Sequence, residues 1–309
     1  MDFVKILRIL NRNKVYGVFL LPLFLIRMFL AIPCSYTISY VGEGICAQGS
    51  YIYFVHGYYA TNSYFDDMIK FLNDSGYFQA DTDHRIMPAY FDYFDKYIKL
   101  NMTRKKVHFI EGGISTYAND FFELLSRTHN SPTELVIIAH SLGGIITREM
   151  LRNHHVQLEE LGIQVIRVIT LASPHLGTEL ATNPIIEAAL NLMGSSWDTP
   201  VGRSLSPGSE FIRRLNENAN SYMNHIDWYF VAGVSLDLVS LLGQEFIYNG
   251  IPCDGFVDWK SALAIGLNVE PAVRLVLPKD HYQLIHDPKN QESYQYICKW
   301  LSGNRCSLK

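Results

Sequence analysis

Ala139-His140-Ser141-Leu142-Gly143-Gly144 sets a serine between small residues, two before it and two after. The string fits the pattern G-x-S-x-G with alanine in the first position. Its chemistry would be nucleophilic: a hydroxyl held on a sharp, strained strand-to-helix turn and offered to a carbonyl carbon. Composition alone supplies such a string about 0.2 times in a chain of this length, so the flanks carry the weight. Leu135–Ala139 runs straight into it without polar alternation, and Ile145, Ile146, Met150 and Leu151 share one face of the stretch that leaves it.

A serine hydroxyl attacks poorly until a histidine takes its proton and a carboxylate orients that histidine. When the serine sits on such a turn in a parallel sheet, acid and then histidine follow on loops after later strands. The first suitable acid lies in Pro252-Cys253-Asp254-Gly255-Phe256-Val257-Asp258-Trp259, where Asp254-Gly255 is a tight-turn dipeptide. Asp258 and Asp237 are its rivals. His281 is the candidate base, just after the apolar run Val273–Leu277 and the break Pro278-Lys279-Asp280. His286, beside Asp287-Pro288, is the alternative. The remaining histidines, including His154-His155 at a helix end, read as solvated. The oxyanion of a tetrahedral intermediate needs backbone donors. The Leu142 amide follows the nucleophile, and the Tyr58 amide lies in the turn Val55-His56-Gly57-Tyr58 after an early strand.

These residues must be held by a scaffold, and the pattern supplies one. Short β-branched or aromatic runs alternate with amphipathic stretches from Tyr51 onward. Strands are expected at 51–55, 107–110, 135–139, 165–171, 228–231 and 273–277. Helices are expected at 63–73, 117–127 and 142 to about 153. That alternation implies βαβ units, so the fold class is α/β: a mainly parallel sheet with helices on both faces.

The set Val55-His56-Gly57, Ala139-His140-Ser141-Leu142-Gly143-Gly144, Ala172-Ser173-Pro174-His175-Leu176-Gly177-Thr178, Asp254-Gly255-Phe256-Val257 and Asp280-His281 resembles the α/β-hydrolase lipases. Bacterial triacylglycerol lipases and related lipid deacylases have the most similar pattern. The resemblance runs from Tyr51 to His281 in order. It implies the α/β-hydrolase fold, with Ser141 as nucleophile, Asp254 as acid, His281 as base, and the Tyr58 and Leu142 amides as the oxyanion hole. It also implies serine-dependent hydrolysis of carboxylic esters of fatty acids through an acyl-enzyme, with no cofactor. An acyl-protein thioesterase or a lipid acyltransferase would use the same triad. A chain of this fold that has lost catalysis would serve instead as a membrane-tethered binding module. Several calcium-dependent lipases carry an aspartate two residues after the base; Gln283 stands there in this chain, so no metal site is carried over.

Two segments speak to partners. Asn183-Pro184 starts a helical pattern in the insert of about residues 179–224, with Ile185, Ile186, Ala189, Leu190 and Met193 on one face up to Gly194. It reads as a mobile lid over an acyl site, or as a fixed cap. Residues 1–47 form a separate segment: Lys5, Arg8, Arg12 and Lys14 precede an apolar run from Val15 to Ile32. Basic before and uncharged after until Glu43, it reads as a signal anchor or signal peptide that puts the catalytic domain, 48–309, on the non-cytoplasmic side. A hairpin docked on the enzyme or lying in the membrane interface is the alternative. The expected partner is therefore a lipid or acyl-ester substrate at a membrane or lipid surface. The net charge of −4 and the lack of a basic block interleaved with aromatics disfavour nucleic acid. Five cysteines without a CxxC pair exclude a disulfide scaffold and give little support to structural zinc. A Cys298–Cys306 bridge and two free thiols are both open.

Overall fold

Apolar runs too continuous for a half-exposed strand demand cover on both sides, and the sheet provides it. The computed structural model describes residues 50–58, 60, 62–76, 86–91, 113–129, 132–179, 199–235, 247–248 and 250–302. Its main strands are β1 (Ser50–Val55), β2 (Ile86–Phe91), β3 (Thr133–His140), β4 (Ile163–Leu171), β5 (Asp227–Gly233) and β8 (Val273–Leu277). They form one six-stranded sheet in the order β2-β1-β3-β4-β5-β8. Every neighbouring pair is parallel. A small antiparallel pair, β6 (Ile247–Tyr248) and β7 (Ile251–Pro252), stands apart.

The helices are α1 (Asp66–Asp74), α2 (Gly113–Thr128), α3 (Leu142–Glu160), α4 (Pro200–Ser204), α5 (Glu210–Asn216), α6 (Asn220–Met223), α7 (Trp259–Ala262) and α8 (Glu292–Ser302). Alternate strand residues point to opposite faces, and β1 shows the consequence. Tyr53 and Val55 join Tyr117 and Phe121 of α2 and Ile145 and Met150 of α3. Ile52 and Phe54 join Met68 and Leu72 of α1 and Tyr294 and Ile297 of α8. The result is a sheet with helices on both faces, as the alternation of patterns implied.

The differences have local reasons. β2 is absent from the expected strands; its Pro88 is compatible with its place at the sheet edge, where proline is tolerated. Helix α3 runs past Asn153 to Glu160, because Leu158 continues the buried stripe of Leu151 one heptad on. The expected strand at 107–110, the lid pattern Asn183–Gly194, Asp237 and residues 1–47 lie outside the described residues. So do Cys34, Cys46 and Cys306; Cys298 is disulfide-bonded, and Cys253 is a free, buried thiol. Among the described residues, no helix is long and apolar enough to cross a membrane. The latter part of the insert packs as a cap: Val201, Leu205, Ile212, Leu215, Tyr222 and Met223 belong to the same cluster as α2 and α3.

Several histidines read as solvated are in fact core residues. His129 shares a 2.9 Å hydrogen bond with the Tyr53 hydroxyl, and burial pushes its pKa down to about 4. An unfolded histidine titrates near 6.5. Between those values the unfolded chain binds more protons, so stability is lost as pH falls through this window, by roughly 3 kcal/mol in full. His140 and His175, also lowered mainly by burial, act in the same direction. The His129→Gln variant should therefore show a shallower fall of unfolding free energy from pH 6.5 to 4 in urea titrations. An unchanged slope would contradict the neutral, buried state of His129.

Candidate active site

Serine 141 ends β3 with φ 53° and ψ −122° and opens α3. A side chain makes that conformation cost on the order of 1–3 kcal/mol, so the surroundings must impose it. Its N–H donates to Leu171 O at 2.8 Å, and its own carbonyl accepts from Gly144 N–H at 3.1 Å. Three glycines then let neighbouring segments close in. A Cβ at Gly143 would overlap the Val55 carbonyl and stand 2.7 Å from that of His56. One at Gly144 would overlap the Ser173 hydroxyl. One at Gly57 would lie 2.9 Å from His140 Nδ1 and 3.0 Å from Ser141 Cβ. Ala139, the small residue two before, is buried between Val55 and Thr170 of the flanking strands.

The Gly57 approach brings the β1 loop onto the serine, and with it Tyr58. Leu142 occupies the first position of α3, where an N–H has no partner within the helix. Tyr58 thus follows the glycine that meets the serine, and Leu142 follows the serine itself. The Tyr58 hydroxyl lies 3.4 Å from Thr199 Oγ1, which also caps α4, so this loop meets the cap.

Asp254 is completely buried after β7. One carboxylate oxygen accepts from the Phe256 and Val257 amides at 2.9 and 2.8 Å, and the other accepts from His281 Nδ1–H at 2.8 Å. Gly233, at the end of β5, permits this: its Cβ would lie 2.8 Å from Asp254 Cβ and would overlap the Lys279 carbonyl. The base loop after β8 is fixed on several sides. His281 N–H donates to Asp254 O at 3.1 Å. Asp280 Oδ1 accepts from Tyr282 and Gln283 N–H at 2.9 and 2.7 Å, and Gln283 Oε1 accepts from Asp280 N–H. Lys279 and Asp287 form a buried ion pair at 2.6 Å. Among the described residues, Ser141 Oγ makes no hydrogen bond to His281 Nε2. Hydroxyl–imidazole contacts of this kind commonly tighten only with substrate.

The rivals have other employment. Asp258 caps α7, its carboxylate accepting from Ser261 N–H at 2.9 Å, and burial raises its pKa. His286 pairs with Asp67 at 2.7 Å on α1, away from Asp254. His154 and His155 lie within α3 and are half-buried; His154 stacks on Phe122 and bonds Asn119. Among the described residues, no group of three or more His, Cys, Asp or Glu side chains is arranged to hold a metal ion.

Four supporting residues were given no role of their own by the sequence. Arg148 of α3 is wholly buried and donates to His175 O, Leu215 O, Asn216 Oδ1 and Tyr222 Oη, joining the nucleophile helix to the cap. Thr178 Oγ1 donates to Phe256 O, and Ser261 Oγ donates to Gly177 O, both at 2.6 Å. These two bonds tie the Ser-Pro-His-Leu-Gly-Thr loop to the acid loop. Lys279 is the fourth. A charge pattern could not have flagged Arg148, whose described partners are carbonyls, an amide, a phenol and an imidazole.

A parallel sheet covered on both faces, with a strained serine where β3 turns into α3, defines an α/β-hydrolase. The chain belongs to the family described as "Putative serine esterase (DUF676)", whose model matches residues 53–209. That span holds Ser141, Tyr58 and Leu142, whereas Asp254 and His281 lie beyond it. No curated protein matches the chain. Among solved structures, phospholipase PlaB from Legionella pneumophila is 15% identical, with a TM-score of 0.57 over 82% of this chain and 60% of its own. The propeptide form of lipase BlEst2 from Bacillus licheniformis is 18% identical, with a TM-score of 0.50 over 84% of this chain and 51% of its own. The chain thus spans less than two thirds of either structure, and the likeness is one of fold.

Gly143 lies against backbone that cannot yield. Gly143→Ala should destabilise the fold by about 1–3 kcal/mol through overpacking, read as a lowered urea midpoint. A wild-type midpoint would mean that the turn and β1 are not in contact there.

Proposed function

We propose that this protein hydrolyses carboxylic esters of fatty acids with Ser141 as nucleophile, His281 as general base and acid, and Asp254 as the orienting carboxylate. The observation that carries the reading is the buried Asp254–His281 bond, on the loop that reaches back to the strained Ser141 turn. Ser141 Oγ attacks the ester carbonyl carbon while its proton passes to His281 Nε2. The imidazolium so formed keeps its Nδ1–H on Asp254, which stays ionised. The carbonyl oxygen, now an oxyanion, accepts hydrogen bonds from the Leu142 and Tyr58 amides. Collapse breaks the C–O bond, and His281 returns the proton to the leaving alkoxide, leaving an acyl-Ser141 ester. Water then gives its proton to His281 and attacks that ester, and Ser141 leaves with the proton back on its oxygen.

The fatty-acyl preference is supported by the lipase resemblance of the motifs. Lipid-surface association is supported by the basic-then-apolar order of residues 5–32.

Turnover of a series of p-nitrophenyl esters tests the reading. Ser141→Ala should abolish turnover with its thermal unfolding unchanged, and Asp254→Asn should lower kcat by about 10⁴-fold through loss of the correct histidine tautomer. Quenched mixtures should contain chain heavier by one acyl group on the Ser141 peptide. Retained turnover in Ser141→Ala would refute the assignment.

A further inference from the structure

The second position of the Ala-His-Ser-Leu-Gly string is a variable one in the motif, yet His140 does more there than fill space. Its ring is buried, and Nε2–H donates to the main-chain oxygen of His281 at 2.9 Å. The two imidazoles lie with centroids 4.6 Å apart, tilted by 53°. The opposite edge, Nδ1, has no hydrogen-bond partner and faces Gly57, 2.9 Å from where a Cβ would stand. One ring, carried by the residue adjoining the nucleophile, therefore touches both the base and the β1 loop.

The other bonds of His281 run elsewhere. Its N–H and Nδ1–H both go to Asp254, so they fix the base relative to the acid. They do not fix it relative to the serine. The bond from His140 does, because it starts one residue from Ser141. The ring is also held neutral by burial, with the rings of His281 and His56 acting in the same direction. A neutral ring adds no repulsion when His281 takes a proton.

We propose that His140 is a positioning residue that sets the separation of Ser141 from His281. The proposal rests on the serine-hydrolase roles given to those two residues. A ring that only packs the core would affect stability; one that positions the base must affect the chemical step in folded molecules.

The experiment compares wild type, His140→Gln, His140→Asn and His140→Leu as full-length chains. It measures kcat and KM for p-nitrophenyl butyrate, the rate of fluorophosphonate labelling, and the folded fraction by circular dichroism. Glutamine keeps an N–H at similar reach, asparagine is too short to reach the carbonyl, and leucine has no donor. Per folded molecule, Leu and Asn should lower kcat and labelling rate by about 10- to 100-fold, the scale of a misplaced reacting group. KM should stay within about twofold, and Gln should recover most of the loss. If Leu fails to fold, the Gln–Asn difference carries the test. Equal kcat per folded molecule in Gln, Asn and wild type would overturn the proposal. A wild-type chain that neither turns over nor labels would instead overturn the serine assignment beneath it, and is distinguished by needing no variant.

Discussion

The close approach of three glycines to their neighbours at one point governs this structure. Ser141 adopts a conformation that a residue with a side chain avoids, and it keeps it because β1, β4 and α3 meet around it where glycines leave no room for a Cβ. Gly143 lies against the carbonyls ending β1, Gly144 against Ser173 after β4, and Gly57 against Ser141 itself. The parallel sheet makes such a meeting possible. Its carboxyl ends gather on one edge, so the loops after β1, β3, β5 and β8 converge where ligands bind in open α/β sheets.

The cap and the acid loop are coupled to that point through the Ser-Pro-His-Leu-Gly-Thr segment. Arg148 grips its His175 carbonyl and the cap carbonyl of Leu215 together. Thr178 and Ser261 then fasten the same segment to the loop bearing Asp254. A buried guanidinium satisfied largely by neutral oxygens is costly to desolvate, yet removal of its side chain would strand several buried acceptors at once. The segment thereby transmits the position of α3 to both the cap and the acid. The described cap helices are short, with Thr199 and Ser209 capping α4 and α5.

Much of this was legible in the residues. The β3–turn–α3 unit announces itself because an uninterrupted apolar strand, a small-residue turn and a helical stripe agree with one another. Asp254-Gly255 was legible as a turn that offers a carboxylate, and its backbone does fold back, with the Phe256 and Val257 amides on one oxygen. β2 was missed: its six residues carry a proline in the middle, and nothing local says that a strand will lie at an edge. Burial of His129, His140 and His175 was invisible for a related reason: each depends on residues distant in sequence. Asp258 shows the same limit, since an aspartate beside a short helical turn serves as a cap as readily as an acid. The family span ends at residue 209, so the acid and base rest on geometry rather than on kinship.

Every catalytic role given above requires that Ser141 be a nucleophile activated by His281. Fluorophosphonate labelling of the full-length chain, with and without detergent and with the modified peptide mapped by mass, asks this most directly. A single phosphonylated residue, Ser141, is expected, and no labelling when His281 is replaced by alanine in a variant that still folds. Labelling at another serine, or none under either condition, would contradict it.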